Sequence, residues 1–321
     1  MGLSLQSINF LLQAYQSGVR FEQTLTLGRQ HVIASPRQIV DALKSIHNLP
    51  PSFDPGEVRQ ALEKTTWRFD VIARAMGAKS VVACDFSDYE GAEMIHNMNS
   101  PIAAEQEESY DVVIDGGTLE HIFNFPIAIA NAMRLTKVGG SLILFTPANN
   151  NFGHGFYQFS PELFYRVLSP ANGFKVRRMV ATVEDIVENG NLFGIRYPFL
   201  VNGPWYEVAD PEDVKSRVTL MNQYPVGLMV LAERVGREEI FKQTPQQSDY
   251  VRLWSETANG QEGSTKGGAF SSKLIEWVKM YCPETLWREF LPKIAAFGDP
   301  FRMSRYRKER SFSNERFFKK Q

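Results

Sequence analysis

One stretch of the chain, residues 110–161, constrains the fold more than any other. Near its start lies a short apolar run, residues 112–114, that ends in Asp115-Gly116-Gly117. Such a run is typical of a strand buried in a parallel sheet, and an exit of one acidic residue and two glycines is typical of a ligand-binding loop. A second apolar run, residues 141–146, stops at Pro147 and predicts another strand.

The segment between these two runs has the spacing of a helix. In residues 126–135, Ile127, Ala130 and Met133 recur every three positions. Lys137 and the following pair of glycines, residues 139–140, form a helix-ending pattern. A strand, a helix and a strand in this order form a right-handed crossover, so we expect the two strands to be parallel.

In parallel sheets, ligands bind at the carboxyl ends of the strands. The polar residues that this rule places at the predicted site are Asp115, Glu120, His121, Asn149 and His154.

Three segments of this stretch together resemble the second half of a class I S-adenosylmethionine-dependent methyltransferase. They are YDVVIDGGTLEHI, KVGGSLILFTPAN and GHGFYQFSPELF. The third segment resembles the members that modify small molecules or sugars. The resemblance implies an α/β fold with a doubly wound, mainly parallel, Rossmann-like sheet over residues 21–235. It also implies an antiparallel edge strand at residues 226–235 and S-adenosyl-L-methionine as the cofactor.

The loop after the predicted first strand, residues 21–27, reads Gly28-Arg29-Gln30. In the resembled family this loop holds the methionine part of the cofactor, and it has two or three glycines where this chain has only Gly28. A glycine allows backbone N–H groups to approach a ligand. Arg29 is either a partner of the cofactor carboxylate or a surface arginine. No G-x-G-x-x-G lies near this loop, which disfavours a dehydrogenase.

Four further positions complete the predicted cofactor site. Asp85 follows a predicted strand, residues 80–84, where a carboxylate accepts hydrogen bonds from ribose hydroxyls; a turn-forming aspartate is the alternative. Asn97 lies in the third predicted strand, residues 93–98, where the resembled family has an aspartate that binds the adenine amino group. Asp115 and Gly116 are the remaining two positions.

Methyl transfer from a sulfonium requires alignment of the acceptor and removal of its proton. A histidine suits the second task. His154, in a loop between two glycines, is the preferred base and His121 the second candidate; alternatively, His121 holds the loop by hydrogen bonds. A metal site formed by these histidines with Asp115 and Glu120 remains open, although the sequence shows no tight ligand spacing.

Composition disfavours several classes of function. A net charge of −1 over 321 residues gives no electrostatic attraction to nucleic acid. The two cysteines, Cys84 and Cys282, lie in different segments and predict neither a disulfide framework nor a structural zinc site. We find no signal-peptide pattern and no apolar run that spans a bilayer, so we expect a cytoplasmic protein.

We expect the methyltransferase-like domain to occupy residues 1–236, with insertions at residues 35–66 and 189–217. An apolar stripe predicts a helix in residues 1–18, and helices at this position often shape the acceptor pocket in the resembled family. Residues 237–321 are predicted to form a linker, a short helical appendage and a basic tail, which either contacts an anionic surface or is a solvated, flexible terminus.

The predicted function is methyl transfer to a small molecule or glycan precursor, at oxygen. A methyltransferase-like domain that binds without catalysing is the alternative. The sequence specifies neither the acceptor nor the oligomeric state.

Overall fold

A computed structural model of the protein describes residues 2–65, 68–183, 204–215, 220, 225–258 and 318–320. The strands in these residues are β1 (Gly2–Ser4), β2 (Gln23–Leu27), β3 (His31–Ile33), β4 (Ser80–Asp85), β5 (Met94–Ile95), β6 (Tyr110–Gly116), β7 (Thr136–Asn149), β8 (Phe174–Val183), β9 (Trp205–Val208), β10 (Val226–Arg234) and β11 (Phe318–Lys320). The α-helices are α1 (Leu5–Gln16), α2 (Pro36–Lys44), α3 (Pro55–Lys64), α4 (Phe69–Ala75), α5 (Phe125–Leu135), α6 (Pro161–Val167), α7 (Pro211–Val214) and α8 (Ser248–Ala258).

A nine-stranded sheet organises the chain, in the order β11-β9-β8-β10-β7-β6-β2-β4-β5. Its strands β5, β4, β2, β6 and β7 are parallel. The predicted doubly wound, mainly parallel α/β sheet and the antiparallel pairing of its last strands are therefore confirmed. The reversed strand β10 lies between β7 and β8 and pairs with both, and β9 and β11 continue the sheet beyond β8.

Both faces of the sheet are covered, which explains the continuous apolar runs in the sequence. Successive residues of a strand point to opposite faces. Val113 and Leu142 belong to one buried cluster, which also contains the apolar face of α5. Ile114 and Ile143 belong to the other, which contains apolar residues of α1, α2, α3 and α4.

Several predicted segments differ from the observed elements. Strand β7 starts at Thr136, so the glycine pair at residues 139–140 lies inside the strand and not in the turn after α5. Insertion 35–66 contains α2 and α3, and the described part of insertion 189–217 contains β9 and α7. The predicted linker after residue 236 contains α8, whose first residue donates a backbone hydrogen bond to Glu162 Oε1 at 2.6 Å.

The C-terminal predictions fall mostly outside the described residues. This applies to the helical appendage, at residues 271–297, and to the basic tail except for residues 318–320, which pair with β9 as β11. Among the helices of the described residues, none is both long enough and apolar enough to cross a bilayer.

Candidate functional site

A pocket of about 500 Å³ opens at the carboxyl ends of β6 and β7. Strand ends supply its floor through Gly116 and Thr146, and the loop after β7 supplies Asn150, Asn151 and His154. The remaining walls come from residues near the N-terminus, from the end of β8 and from the start of β10. The pocket therefore lies where the sheet rule predicts a ligand.

Helix α1 forms part of this wall, as expected for the predicted N-terminal helix. It begins after Ser4, whose hydroxyl accepts a hydrogen bond from the Ser7 N–H. Gln6 is buried, and its Oε1 accepts hydrogen bonds from Trp205 Nε1 at 2.9 Å and from Thr182 Oγ1. These contacts fix the first turn of α1 against β8 and β9.

The pocket brings together only part of the predicted site. Both predicted catalytic residues, His121 and His154, line it, and so does Gly116 of the cofactor set. The predicted cofactor residues outside its lining are Gly28, Arg29, Asp85, Asn97 and Asp115.

A buried carboxylate lies beside the two histidines. Glu120 Oε1 is 3.6 Å from His154 Nε2 and 3.9 Å from His121 Nε2. The glutamate side chain is 2% exposed, while those of His121 and His154 are 46% and 53% exposed. The two imidazole centroids are 5.0 Å apart. The sequence analysis placed Glu120 at the strand ends but gave it a role only in the open metal alternative.

Burial, and then the positive charge that His154 carries when protonated, lower the pKa of His121. His121 therefore favours its neutral form, which accepts a proton or binds a metal ion.

The backbone holds the two histidine-bearing segments together. Glu120 and His121 lie in a 3₁₀ turn, residues 119–121. The Glu120 carbonyl accepts hydrogen bonds from the N–H groups of Phe156, at 2.7 Å, and Tyr157, at 3.3 Å. Gly155 has φ +69°, and a Cβ there would lie 2.8 Å from the Glu120 carbonyl oxygen. Glycine at this position is therefore needed for the close approach of the two segments.

The predicted nucleoside-binding residues lie on adjacent strands. Leu27 is paired with Cys84 on one side and with Asp115 on the other, and Asp85 is paired with Ile95. Gly28, Asp85, Asn97 and Asp115 therefore end, or follow shortly after, four neighbouring parallel strands.

Two of these side chains also take part in turns. Asp85 Oδ1 accepts the Phe86 N–H at 2.6 Å, and Asn97 Oδ1 accepts the Asn99 N–H at 3.0 Å. The turn alternative for Asp85 is thus observed, and its Oδ2 makes no hydrogen bond within the described residues.

Arg29 is not a surface arginine, because it is only 1% exposed. Its Nη1 lies 3.2 Å from Asp70 Oδ2, its Nη2 lies 2.6 Å from Glu93 Oε1, and Nη2 also donates to the Gly91 carbonyl. The guanidinium is directed at these partners, so the geometry favours a role in joining α4 to the segment before β5 over the predicted contact with a cofactor carboxylate.

Gln30, which the sequence analysis mentioned without a role, occupies the crevice between β2 and β6. Its Nε2 donates to the Leu27 carbonyl at 2.7 Å. Its Oε1 is buried and makes no hydrogen bond within the described residues. A Cβ on Gly116 would collide with that oxygen, so Gly116 allows the close contact.

Asp115 is fully buried at the end of β6. Its Oδ1 accepts the Thr118 N–H at 2.9 Å, whereas Oδ2 has no hydrogen bond among the described residues. Burial raises the pKa of this carboxyl to about 7, against the smaller opposing effect of the hydrogen bonds from Thr118 and Leu119. Gln30 and Asp115, in neighbouring segments, are therefore among the residues that have a buried side-chain oxygen without a hydrogen bond in the described structure.

No protein-family model matches the chain, and no curated protein matches it in sequence. Among solved structures, it is similar to a Thermotoga maritima S-adenosylmethionine-dependent methyltransferase described as a possible histamine N-methyltransferase. That pair has a TM-score of 0.33 and 16% identity, over 72% of this chain and 89% of the other.

Two further solved structures are similar at the same level. One is the Burkholderia thailandensis 1,6-didemethyltoxoflavin-N1-methyltransferase with S-adenosylhomocysteine, at TM-score 0.32 and 10% identity over 72% of this chain and 78% of that one. The other is the branched-chain polyamine synthase of Thermus thermophilus, at TM-score 0.33 and 10% identity over 75% of this chain and 58% of that one. Similarity this low assigns neither a family nor an activity, and the fold assignment rests on the strand order described above.

Proposed function

We propose that this protein is an S-adenosyl-L-methionine-dependent methyltransferase that modifies a small molecule or glycan precursor at oxygen. One observation carries the proposal: Gly28, Asp85, Asn97 and Asp115 end, or follow shortly after, four neighbouring parallel strands of a doubly wound sheet, beside a pocket lined by both apolar and polar residues. The paired β8 and β10 add the antiparallel element that the sequence resemblance implies.

The nucleoside half of the cofactor fits the ends of β4 and β5. Asp85 Oδ2 is available to accept a hydrogen bond from a ribose hydroxyl. Asn97 is exposed two positions beyond β5, and an amide both donates to and accepts from an adenine edge. We assign these two side chains to the nucleoside.

The amino-acid half of the cofactor fits a different set of residues from the one that the sequence predicted. In place of Arg29, we assign recognition of the ammonium group to Gln30 Oε1 and Asp115 Oδ2. Both are buried acceptors without a hydrogen bond in the described structure, and an ammonium group donates three hydrogen bonds. Gly28 is the position at which we expect the ligand to approach the backbone, whereas Gly116 accommodates the Gln30 side chain.

The bound cofactor supplies an activated methyl group, and the residues of the pocket orient the acceptor and remove its proton. The acceptor oxygen would form its bond to the methyl carbon as the S–CH₃ bond of the sulfonium breaks and leaves the neutral thioether, and the acceptor proton would pass to His154 Nδ1. His154 Nε2 faces Glu120, and the carboxylate stabilises the imidazolium that results. His121 is the second candidate for the base.

Calorimetric titration of the full chain with S-adenosylmethionine and with its demethylated product tests the cofactor directly. We expect both to bind at one site per chain. Incubation with hydroxylated small molecules and glycan precursors, read by mass spectrometry, then identifies the acceptor. Absence of binding for both nucleosides would overturn the proposed function.

A further inference from the structure

The pocket contains a cluster of metal-binding side chains. We propose that Glu120, His121 and His154 bind a divalent transition-metal ion of the zinc type and leave one coordination position open toward the pocket. One ligand atom from each residue lies within 4.8 Å of the other two. The inference deepens the proposed function, because it concerns the same pocket, but its first test does not depend on methyl transfer.

The chemistry of the three donors fits such an ion. Two imidazoles and one carboxylate form the set that zinc uses in catalytic sites, with a water molecule or the substrate as the fourth ligand. Bond lengths of about 2.0–2.1 Å place donors roughly 3.3 Å apart around a tetrahedral ion. The separations from Glu120 Oε1 to the two Nε2 atoms, 3.6 and 3.9 Å, exceed this by a few tenths of an ångström, and the ligand atoms of the two histidines lie within 4.8 Å of each other. Both imidazoles are about half exposed, so their rings have room to rotate and close these differences.

The cluster is built into the fold and does not depend on mobile surface side chains alone. Glu120 is buried in a 3₁₀ turn, and its carbonyl accepts two backbone hydrogen bonds from the loop that carries His154. The close approach of Gly155 brings that loop against Glu120. The backbone therefore fixes the carboxylate, and the histidines face it from the solvent side.

The open position faces the polar part of the pocket, where Ser7, Asn150 and Asn151 lie. A metal ion lowers the pKa of an O–H group that it binds. An acceptor hydroxyl at the open position would release its proton to water without needing an imidazole as base. The two roles of His154 are therefore alternatives, as metal ligand in the loaded protein and as base in the metal-free protein.

Titration with ZnCl₂ tests the site on the full chain after treatment with a chelator. We expect one Zn²⁺ per chain, and Mg²⁺ should not compete because it prefers oxygen ligands. The variants Glu120→Gln, His121→Ala and His154→Ala should each lose more than about 100-fold in affinity, beyond the roughly 10–100-fold cost of losing an outer partner. His47→Ala is the matched control, since His47 is exposed and does not line the pocket.

Melting of each metal-free variant shows whether it folds, and Glu120→Gln keeps the shape of the side chain in case an alanine variant does not fold. Wild-type protein that takes up no Zn²⁺ at one per chain would overturn the inference, as would three folded variants that bind like wild type. Zinc binding without cofactor binding would retain the metal site and remove the methyltransferase proposal. Cofactor binding and turnover by a protein that takes up no zinc when titrated would remove the metal site, retain the methyltransferase proposal and leave His154 as the base.

Discussion

Gly155 and the Glu120 carbonyl oxygen are so close that a Cβ on Gly155 would lie 2.8 Å from that oxygen. The loop after β7 can pack against the turn after β6 only at this distance. Glu120 and His154 are separated by α5 and β7 in the chain, and this contact brings them to the same side of the pocket.

Gly155→Ala should therefore destabilise the protein by more than the cost of a left-handed backbone alone. Gly153→Ala is the matched control, because Gly153 has φ +86° but no atom within 4 Å of its Cβ position. We expect Gly153→Ala to cost about 1–2 kcal/mol of unfolding free energy and Gly155→Ala to cost roughly 1–3 kcal/mol more, the usual scale of overpacking. Urea unfolding measures both, and equal losses would show that the loop shifts without strain.

Arg29→Ala should lower the free energy of unfolding. The guanidinium is buried between Asp70 and Glu93, so its removal leaves Glu93 without its ion-pair partner and leaves Asp70 paired with Arg68 alone. Loss of one partner of a fully buried pair costs about 3–5 kcal/mol, and the partial exposure of both carboxylates reduces our expectation to roughly 2–3 kcal/mol. Arg37→Ala is the control, because its ion pair with Asp41 is exposed. A fully stable Arg29 variant with weakened cofactor binding would restore the original prediction for this residue.

The residues of β6 and β7 show what periodicity can predict. Ile114 and Ile143 are apolar because helices cover both faces of the sheet, and a buried strand leaves that local pattern in the sequence. Arg29 left no such pattern, since its partners lie 41 and 64 positions away. A partner set by tertiary packing has no local signal.

The candidate site likewise contains residues that the sequence could place and contacts that it could not. The sheet rule placed Glu120, His121 and His154 at the ligand end, because that rule needs only strand direction. The contact between Glu120 and His154 depends on how the loop after β7 folds back, and the sequence showed only its two glycines. Gln30 was not predicted either, because its position against Gly116 depends on the register between β2 and β6.

Asp85→Ala tests the assignment of the nucleoside site. Loss of a hydrogen bond to a charged group costs about 1.5–3 kcal/mol, so affinity for S-adenosylhomocysteine should fall roughly 10- to 150-fold. Asp88→Ala, in the exposed part of the same turn, should bind like wild type. Calorimetric titration of both variants with S-adenosylhomocysteine measures this affinity. Unchanged affinity after loss of the Asp85 carboxylate would show that Asp85 does not bind the nucleoside.

Asp115→Asn should change how stability depends on pH. The folded-state pKa of about 7 lies above the usual value of about 3.9, so the folded protein holds this proton more tightly than the unfolded chain. The resulting stabilisation is fully present below pH 4 and is lost as pH rises to about 7. Asparagine does not ionise, so the free energy of unfolding of the variant should rise relative to that of wild type across this window. We expect this relative gain to reach about 1–4 kcal/mol at pH 8. If the difference in unfolding free energy between the variant and wild type is the same at every pH, the raised pKa of Asp115 is contradicted.

His154→Ala tests the proposed base. If His154 takes the acceptor proton, turnover should fall about 10²- to 10⁴-fold, the usual contribution of a positioned general base. Cofactor affinity should stay unchanged, since His154 lines the pocket whereas Asp85 and Asn97 do not. Steady-state kinetics and cofactor titration on the same preparation separate these effects, with His47→Ala as control.

Full turnover by the alanine variant would remove His154 from the reaction. Loss of cofactor binding instead would show that His154 holds the loop, and His121 would then be the residue to test as the base.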